Sequence, residues 1–314
     1  MIIKRSECAK ISNSVLITVM TPTYNREYKL PVLYKTLCEQ HYDKYEWIVV
    51  DDGSTDGTDS LLSEWISINL FPIIYIQKDN GGKHSAINEA LNYARGKLFF
   101  IIDSDDYILP NVLQWIEMHY KTIEKDSFAG LSGMRATKDG KIIGGKIAEE
   151  YIDAKNTERS KYNLLGDKAE VYFTKILRDN PFPIIPNENF MMETVIWNKL
   201  SYLGYKIRWY NKPFIVTEYL SDGLTQHAEE INIKNPEGYM LSLRCDLQYI
   251  NPSWFYRIYY YYNRYFKFAK LVTNKPFSKT VKDCQTTYIE LLLSILIRKG
   301  VEVIKGVINY EKSI

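Results

Sequence analysis

Short apolar runs alternate with segments of helical periodicity through the first hundred positions. Val15-Leu16-Ile17-Thr18-Val19-Met20, Glu46-Trp47-Ile48-Val49-Val50, Pro72 to Gln77 and Leu98 to Ile102 are β-branched or aromatic-rich and read as strands. Between them, apolar residues recur every three or four positions: Leu30, Leu33, Tyr34 and Leu37, then Leu61, Leu62, Trp65 and Ile66, then Ala86, Ile87, Ala90, Leu91 and Ala94. Thr58 or Asp59 can cap the second of these helices. Strand and helix in this rhythm predict a parallel α/β sheet with right-handed crossovers and helices on both faces. Such a sheet forms its ligand crevice at the carboxyl ends of its strands.

Beyond residue 110 the pattern predicts a helix through Leu113, Ile116, Tyr120 and Ile123. A hairpin turning at Asp139-Gly140 follows, between strands at Leu131 to Ala136 and Ile142 to Ile147. Glu149 to Ser160 reads as a mobile polar segment, and Gly166 to Glu170 as the opening of a helix over Val171 to Leu177. Phe182-Pro183-Ile184-Ile185-Pro186 is extended by its prolines. A helix is expected from about Glu193, carrying Val195, Ile196, Lys199, Leu200 and Leu203. Phe255, Tyr259, Tyr262, Phe266 and Ala269 would share one helical face, with Arg257 and Arg264 opposite and Lys267 and Lys270 adding charge. The expected division is 1–110 and 111–230 as two halves of one domain, and 231–314 as a helical extension.

Composition constrains function less than pattern does. A net charge of +2 over 314 residues offers no bulk argument for nucleic-acid binding, and none is expected. Cys8, Cys38, Cys245 and Cys284 lie far apart without a CxxC pair, which fits free thiols in a reducing compartment rather than a zinc site. Met1 to Lys10 is polar and no secretory leader is expected. The apolar run Ile289 to Ile297 is too short to span a bilayer. The expected location is cytoplasmic, with the inner face of the membrane open as a second possibility.

The polar clusters after the strands carry the chemistry. Asp103-Ser104-Asp105-Asp106 places three carboxylates at the end of a buried strand, costly unless a cation answers them. Mg²⁺ or Mn²⁺ suits carboxylate oxygens and in turn holds phosphate oxygens. Asp51-Asp52-Gly53-Ser54-Thr55-Asp56-Gly57 ends the second strand, and a turn alone does not require paired acids. Asp52 can accept from a nucleobase N–H, and Tyr24 can stack on the base. Lys83 can neutralise a diphosphate, while Gly81 and Gly82 admit close backbone approach. A Walker-type phosphate loop is excluded, because Gly82-Lys83 is followed by His84 and lacks the upstream glycine.

The stretches TPTYNR, VVDDGSTDGT and NGGKHSAINEALNYARGKLFFIIDSDDYILP resemble, in order and spacing, the nucleotide-binding half of inverting family 2 glycosyltransferases of the GT-A fold. The resemblance implies transfer of a sugar from a nucleotide-diphosphate donor, most simply a UDP-sugar, to an acceptor hydroxyl on a saccharide or lipid-linked glycan, in cell-surface polysaccharide or capsule synthesis. It assigns the donor site to Pro22, Thr23, Tyr24, Asn25, Asp52, Gly82, Lys83, Asp103, Ser104 and Asp105, with Asp103-x-Asp105 as the DxD motif. Asp105 and Asp106 would face the Mn²⁺ or Mg²⁺ ion. Glu193 matches the family's catalytic base, although the usual Glu-Asp pair is absent, and Glu188 is the reserve. Tyr219 to Gln226 is similar to a later loop near the donor. The basic, aromatic helix over 254–270 either packs on the catalytic domain or makes a peripheral membrane contact. Two other readings compete: a non-catalytic nucleotide-sugar-binding module, and a haloacid-dehalogenase-type phosphatase. The second fits poorly, since Tyr107 stands where that family wants Thr or Val.

Overall fold

A computed structural model describes residues 1–8, 14–125, 127–218, 228–269 and 273–298. The chain divides into two units, the first comprising Met1–Phe190 and Leu200–Gly223 and the second Met191–Lys199 and Leu224–Ile314.

The first unit is built on one sheet. β2 (Ile17–Thr23), β3 (Tyr45–Asp51), β4 (Ile73–Gln77) and β5 (Leu98–Ile101) are its parallel heart, in spatial order β4-β3-β2-β5. β1 (Ile2–Arg5) adds antiparallel to β4 at one edge. On the other side, β9 (Lys168–Phe173) lies antiparallel between β5 and β7 (Phe128–Ala136). The twelve-residue β10 (Lys206–Thr217) then runs parallel to β7. The far side of β10 takes β8 (Tyr151–Ala154) along its first half and β6 (Asp106–Ile108) along its second. The sheet is thus mixed but mostly parallel at its centre, with helices on both faces, as the sequence pattern predicts.

Every residue of β3 is buried because both faces of the sheet are covered. Alternate residues divide between the faces. Val19, Trp47, Val49 and Tyr75 pack with Leu30 and Leu33 of α1 (Leu30–Cys38) and Leu62 and Trp65 of α2 (Thr58–Ile68). Tyr34 stacks on Trp65 with ring centroids 4.1 Å apart, and the Trp47 indole N–H donates to Thr21 Oγ1 at 2.9 Å. The alternate set, including Met20, Ile48, Val50 and Ile76, is equally buried. It faces α3 (Lys83–Tyr93), whose Ala86, Ile87, Ala90 and Leu91 are buried. Each such fully buried Leu or Ile contributes roughly 1.5–3 kcal/mol.

Charge also reaches this interior. Glu46 is fully buried in β3, where it accepts from Thr18 Oγ1, from the Arg95 N–H and from Arg95 Nε, each within 2.8 Å. That arrangement ties the turn before β5 to the sheet.

Between residues 131 and 177 the structure departs from the expected elements in three places. Val171 to Leu177 is not one helix: β9 takes Lys168–Phe173, and only Thr174–Asp179 (α5) is helical. The sheet has a gap between β5 and β7, and Val171 and Tyr172 fill it. The hairpin arm at Ile142 to Ile147 reduces to a single bridge, Ala136 with Ile142. Gly144, at φ +70°, turns the chain so closely onto Leu165 that a Cβ there would sit 2.1 Å from the Leu165 carbonyl oxygen. Glu149 to Ser160, expected without regular elements, contains β8 and the start of a 3₁₀ turn over Asn156–Tyr162. Arg208 anchors β8 by a bidentate pair with Asp153, 2.6 and 2.7 Å.

α4 (Val112–Tyr120) and α6 (Thr194–Tyr202) form where the periodicity predicts them. The expected loop at Tyr219 to Gln226 lies outside the described residues.

The second unit includes α7 (Ala228–Lys234) and α8 (Pro236–Tyr249), a helical stretch from Trp254 to Lys267, and Phe277–Asp283. Its core gathers Met240, Leu243, Ile258, Tyr262, Tyr265 and Leu291. The buried face of the 254–267 stretch differs from the expected one. Ile258, Tyr261, Tyr262, Tyr265 and Phe268 are inside, whereas Phe255 and Tyr259 are exposed. Arg257–Tyr262 is a π-helix, and its wider turn rotates the face relative to a 3.6-residue period.

In this second core Asp246 accepts from Asn198 Nδ2 at 2.9 Å. Burial, opposed by hydrogen bonds from Asn198 and Tyr261, pushes its carboxyl up to about 6. A raised folded-state pKa means the proton is bound more tightly in the folded than in the unfolded chain. The resulting stability is present below about pH 4 and is lost as pH rises through about 6. Asp246→Asn is therefore expected to gain stability relative to wild type by on the order of 1–2 kcal/mol between pH 4 and pH 7.5. Thermal unfolding of both proteins across that range checks this, and a pH-independent difference would refute it.

Candidate functional site

The carboxyl ends of β2 and β3 are stitched into one rim. Asp52 N–H donates to the Thr23 carbonyl at 2.9 Å, which carries the β2–β3 pairing one residue past the strands. Tyr24 follows, 49% exposed. Asn25 adopts φ +52°, a conformation Asn tolerates, and its Oδ1 accepts from Thr55 N–H at 2.8 Å while its own N–H donates to Ser54 Oγ at 2.8 Å. The acidic cluster after β3 separates into distinct duties. Asp51 braces the turn, accepting from Ser54 N–H and the Tyr75 hydroxyl. Asp56 braces the start of α2 by accepting from Thr58 N–H and Oγ1, and Gly57 takes the cap position in place of the expected Thr58 or Asp59. Asp52 remains for the ligand-facing edge.

Asp52 is 5% exposed and is held by the loop after β4. Its Oδ1 accepts from Lys78 Nζ at 2.6 Å and Gly81 N–H at 3.0 Å, and its Oδ2 accepts from Gly82 N–H at 2.6 Å. Lys78 Nζ also donates to Ser85 Oγ at 2.9 Å and the Asp79 carbonyl at 2.6 Å. Gly82 has φ +84° and ψ 164°, a region open essentially only to glycine. The Asn189 carbonyl oxygen lies 1.8 Å from where a Cβ would stand. Segment 181–190 therefore lies directly over this loop. Asn88 fastens it by paired hydrogen bonds to the Phe182 backbone, 2.8 and 2.9 Å. His84, buried at the start of α3, has its Nδ1 without a partner, and burial lowers its pKa.

The third wall is the Asp103–Asp106 turn between β5 and β6. Asp103 pairs with Lys83 Nζ at 2.5 Å and faces Arg135 Nη2 at 3.7 Å. Burial opposes its ionisation, but Lys83 and Arg135 together hold it below the usual carboxylate range. Asp106 is buried and bonded to Arg135 Nη1 at 2.5 Å. Burial pushes Asp106 up, Arg135 pulls it down, and Asp103 and Asp105 add to the push. Arg135 itself stays ionised, donating also to Thr217 Oγ1 and the Lys168 carbonyl. Burial, then the charge on Asp103, raises the pKa of Asp105. Ser104 is buried between these acids. Lys83 and Arg135 pair with Asp103 and Asp106, while the charge of Arg26 also acts on Asp105.

Hard divalent ions suit this donor chemistry. Among the described residues no three His, Cys, Asp or Glu side chains form a ready-made cage. Mg²⁺ and Mn²⁺ are commonly bound by one or two carboxylates completed by substrate phosphates, and Asp105 beside Asp103 offers such a set.

The structure brings Pro22, Thr23, Tyr24, Asn25, Asp52, Gly82, Lys83, Asp103, Ser104, Asp105 and Asp106 to one edge of the first unit's sheet. Glu188 belongs to this unit, next to the Asn189 that covers Gly82. Glu193 belongs to the second unit, half-buried before α6, its carbonyl accepting from Ile196 and Trp197. Lys78, Ser85 and Arg135 complete the site without having been anticipated. A lysine just past a strand end beside Asn80-Gly81-Gly82 was a readable signal for Lys78. Arg135 had none, because its partners are 29 and 32 or more residues away in sequence and meet it only through the β7–β9–β5 pairing.

A crossover sheet with a nucleotide-type rim and an acidic turn at its carboxyl edge defines a GT-A-like class of protein. The model of glycosyl transferase family 2 matches residues 18–181, just over half of the chain, and the protein belongs to that family. It is similar to the poly(ribitol-phosphate) beta-N-acetylglucosaminyltransferase TarS of Staphylococcus aureus, 26% identical over 193 residues, covering 60% of this chain and 32% of TarS. The chain therefore spans about a third of the length of that relative. It is 38% identical over 150 residues to the putative teichuronic acid biosynthesis glycosyltransferase TuaG of Bacillus subtilis, covering 45% of this chain and 58% of TuaG. In fold it is similar to residues 1–349 of S. aureus TarS in complex with UDP-GlcNAc: TM-score 0.58, 17% identity, 91% of this chain and 92% of that one. It is also similar to the mannosyltransferase PcManGT of Pyrobaculum calidifontis in complex with GDP-Man and Mn²⁺: TM-score 0.52, 17% identity, 91% and 87% covered.

The Gly82 geometry yields a direct test. Gly82→Ala is expected to cost about 2–4 kcal/mol, from strain at a positive φ and collision with Asn189. Urea unfolding measures it; a loss below about 0.5 kcal/mol would mean the loop moves aside freely.

Proposed function

We propose that this protein transfers a sugar from a UDP-sugar to an acceptor hydroxyl, with inversion, during synthesis of a cell-surface polysaccharide. The observation that carries the reading is the convergence of Tyr24, Asp52, Lys83 and the Asp103–Asp106 turn on one sheet edge, a combination suited to base, diphosphate and cation. TarS complexes with UDP and UDP-GlcNAc, and the teichuronic acid assignment of TuaG, support the donor and the product class.

In this reading Tyr24 lies against the base and Asp52 accepts its N–H. Lys83 releases Asp103 in part and meets the diphosphate as a point charge. Asp105 is the metal-facing carboxylate, with Asp106 held behind it by Arg135. A Mn²⁺ or Mg²⁺ ion, when bound there, supplies charge neutralisation for the departing diphosphate. The Mn²⁺ in the PcManGT complex supports that choice. Inversion requires the acceptor oxygen to attack opposite the leaving group while a carboxylate removes its proton. Glu193 is the proposed base and Glu188 its reserve.

The acceptor is proposed to be a saccharide or lipid-linked glycan. No helix among the described residues is long and apolar enough to cross a membrane. The solvent-facing rings of Trp254, Phe255, Tyr256 and Tyr259 support a peripheral contact at the inner membrane face, where such an acceptor would be met. Co-flotation with anionic vesicles is expected, and substitution of Trp254 and Phe255 by Ser should abolish it; recovery of all wild-type protein unbound at low salt would remove this element.

Turnover and binding test the remainder. Glu193→Gln is expected to lower the transfer rate 10²–10⁴-fold with donor affinity retained. If Glu193→Gln keeps its rate and Glu188→Gln loses it, the base is Glu188. Asp105→Ala should lose Mn²⁺-dependent tightening of UDP binding in calorimetry; unchanged enhancement would dismiss the metal role.

A further inference from the structure

We infer that Lys78 sets the base specificity of the donor site, by leaving Asp52 a single free acceptor position that fits uracil and penalises guanine. The inference rests on the proposed role of Asp52 as the base-reading carboxylate.

The argument is a count of lone pairs. An ionised carboxylate offers about four acceptor positions, two on each oxygen. On Asp52 Oδ1 both are taken, by Lys78 Nζ at 2.6 Å and Gly81 N–H at 3.0 Å. On Oδ2 one is taken, by Gly82 N–H at 2.6 Å. One position remains, on Oδ2. The Gly82 donor belongs to backbone that Asn189 covers, and the adjacent Gly81 lies against Ser85 and Lys78, so neither is redirected without moving its neighbours. The Lys78 ammonium is equally committed. Its three protons go to Asp52, Ser85 Oγ and the Asp79 carbonyl, and swinging it away would break the last two bonds as well.

The bases differ in what they ask of such a carboxylate. Uracil presents one imide N–H between two carbonyls, and one acceptor position satisfies it. Guanine presents the N1–H and the 2-amino group side by side, and its full recognition needs both carboxylate oxygens at once. With Oδ1 occupied, the guanine 2-amino group would lose its hydration without gaining a partner, which is the situation that makes polar sites selective. Lys78 thus acts as a specificity residue through Asp52, without itself touching the base. Its three-way clamp separates this role from that of a lysine merely balancing a buried acid, because the clamp decides which oxygen stays open.

Calorimetry on the full chain with UDP, GDP and inosine diphosphate, all with Mn²⁺, tests the inference. Inosine diphosphate is guanosine diphosphate without the 2-amino group. For wild type, UDP is expected to bind about tenfold or more tighter than GDP, and inosine diphosphate severalfold tighter than GDP. Lys78→Met keeps the apolar stem and removes the ammonium, freeing Oδ1. It should narrow the UDP-to-GDP ratio at least about fivefold, and Lys78→Arg should restore it. Equal wild-type affinity for GDP and inosine diphosphate would overturn the count, and this measurement needs no variant to fold. Loss of UDP and GDP binding by the same factor in Lys78→Met would overturn the role of Lys78. Wild-type protein that binds none of the three nucleotides would remove the donor-site reading itself, and the inference with it.

Discussion

The parallel pairing of β2 with β3 on one side and with β5 on the other sets the level at which every site loop begins. Thr23 stands opposite Asp51, and Met20 opposite Ile101, so Tyr24 and Asp52 leave the sheet at the same height and Asp103 about two residues before them. A slip of one residue in either pairing would send alternate side chains to the opposite face, exchanging the set that packs on α1 and α2 for the set that packs on α3. Large side chains on both sides, such as Trp47 and Ile48, make that exchange costly. The core thus enforces the register, and the register places the chemistry.

Two buried carboxylates then hold the rim together by opposite means. Asp52 gathers donors from the loop after β4, so its charge is answered mainly by backbone N–H groups and one ammonium. Asp106 is answered by a guanidinium from β7, a strand that reaches it only because β9 reverses direction between β5 and β7. Removing either partner would leave an uncompensated buried charge, which is far more costly than the pair is stabilising. Burial and the like charge of Asp103 raise the pKa of Asp105, which favours its protonated form over the bare carboxylate.

The C-terminal unit follows different rules. Its helical stretch contains a π-turn at Arg257–Tyr262, so aromatic residues that a regular period would bury instead face outward. π-turns recur at functional positions, because widening the helix costs hydrogen-bond geometry that an ordinary core would not tolerate. Here the result is a core of Ile258, Tyr262 and Tyr265 on one side and open rings of Phe255 and Tyr259 on the other.

How much of this was legible in the chain depends on the range of the interaction concerned. The strands β2 to β5, the helices between them and the polar rim clusters are local patterns, readable from apolar periodicity and turn residues, and the residues of the expected donor site do share one sheet edge. The identity of β9 was not readable: Val171 to Leu177 has apolar residues compatible with either structure, and the vacancy between β5 and β7 decided the matter. Neither was the segregation of duties among Asp51, Asp52 and Asp56, since the Tyr75 hydroxyl, the Gly81 and Gly82 N–H groups and Glu27 come from three separate elements. By itself the sequence determined which residues could carry charge, stack or turn, because those are properties of side chains and of short backbone stretches. Which of those groups meet, which oxygen of Asp52 stays open, and which acid Arg135 neutralises were decided only by tertiary structure, because they depend on strand pairings between residues far apart in the chain.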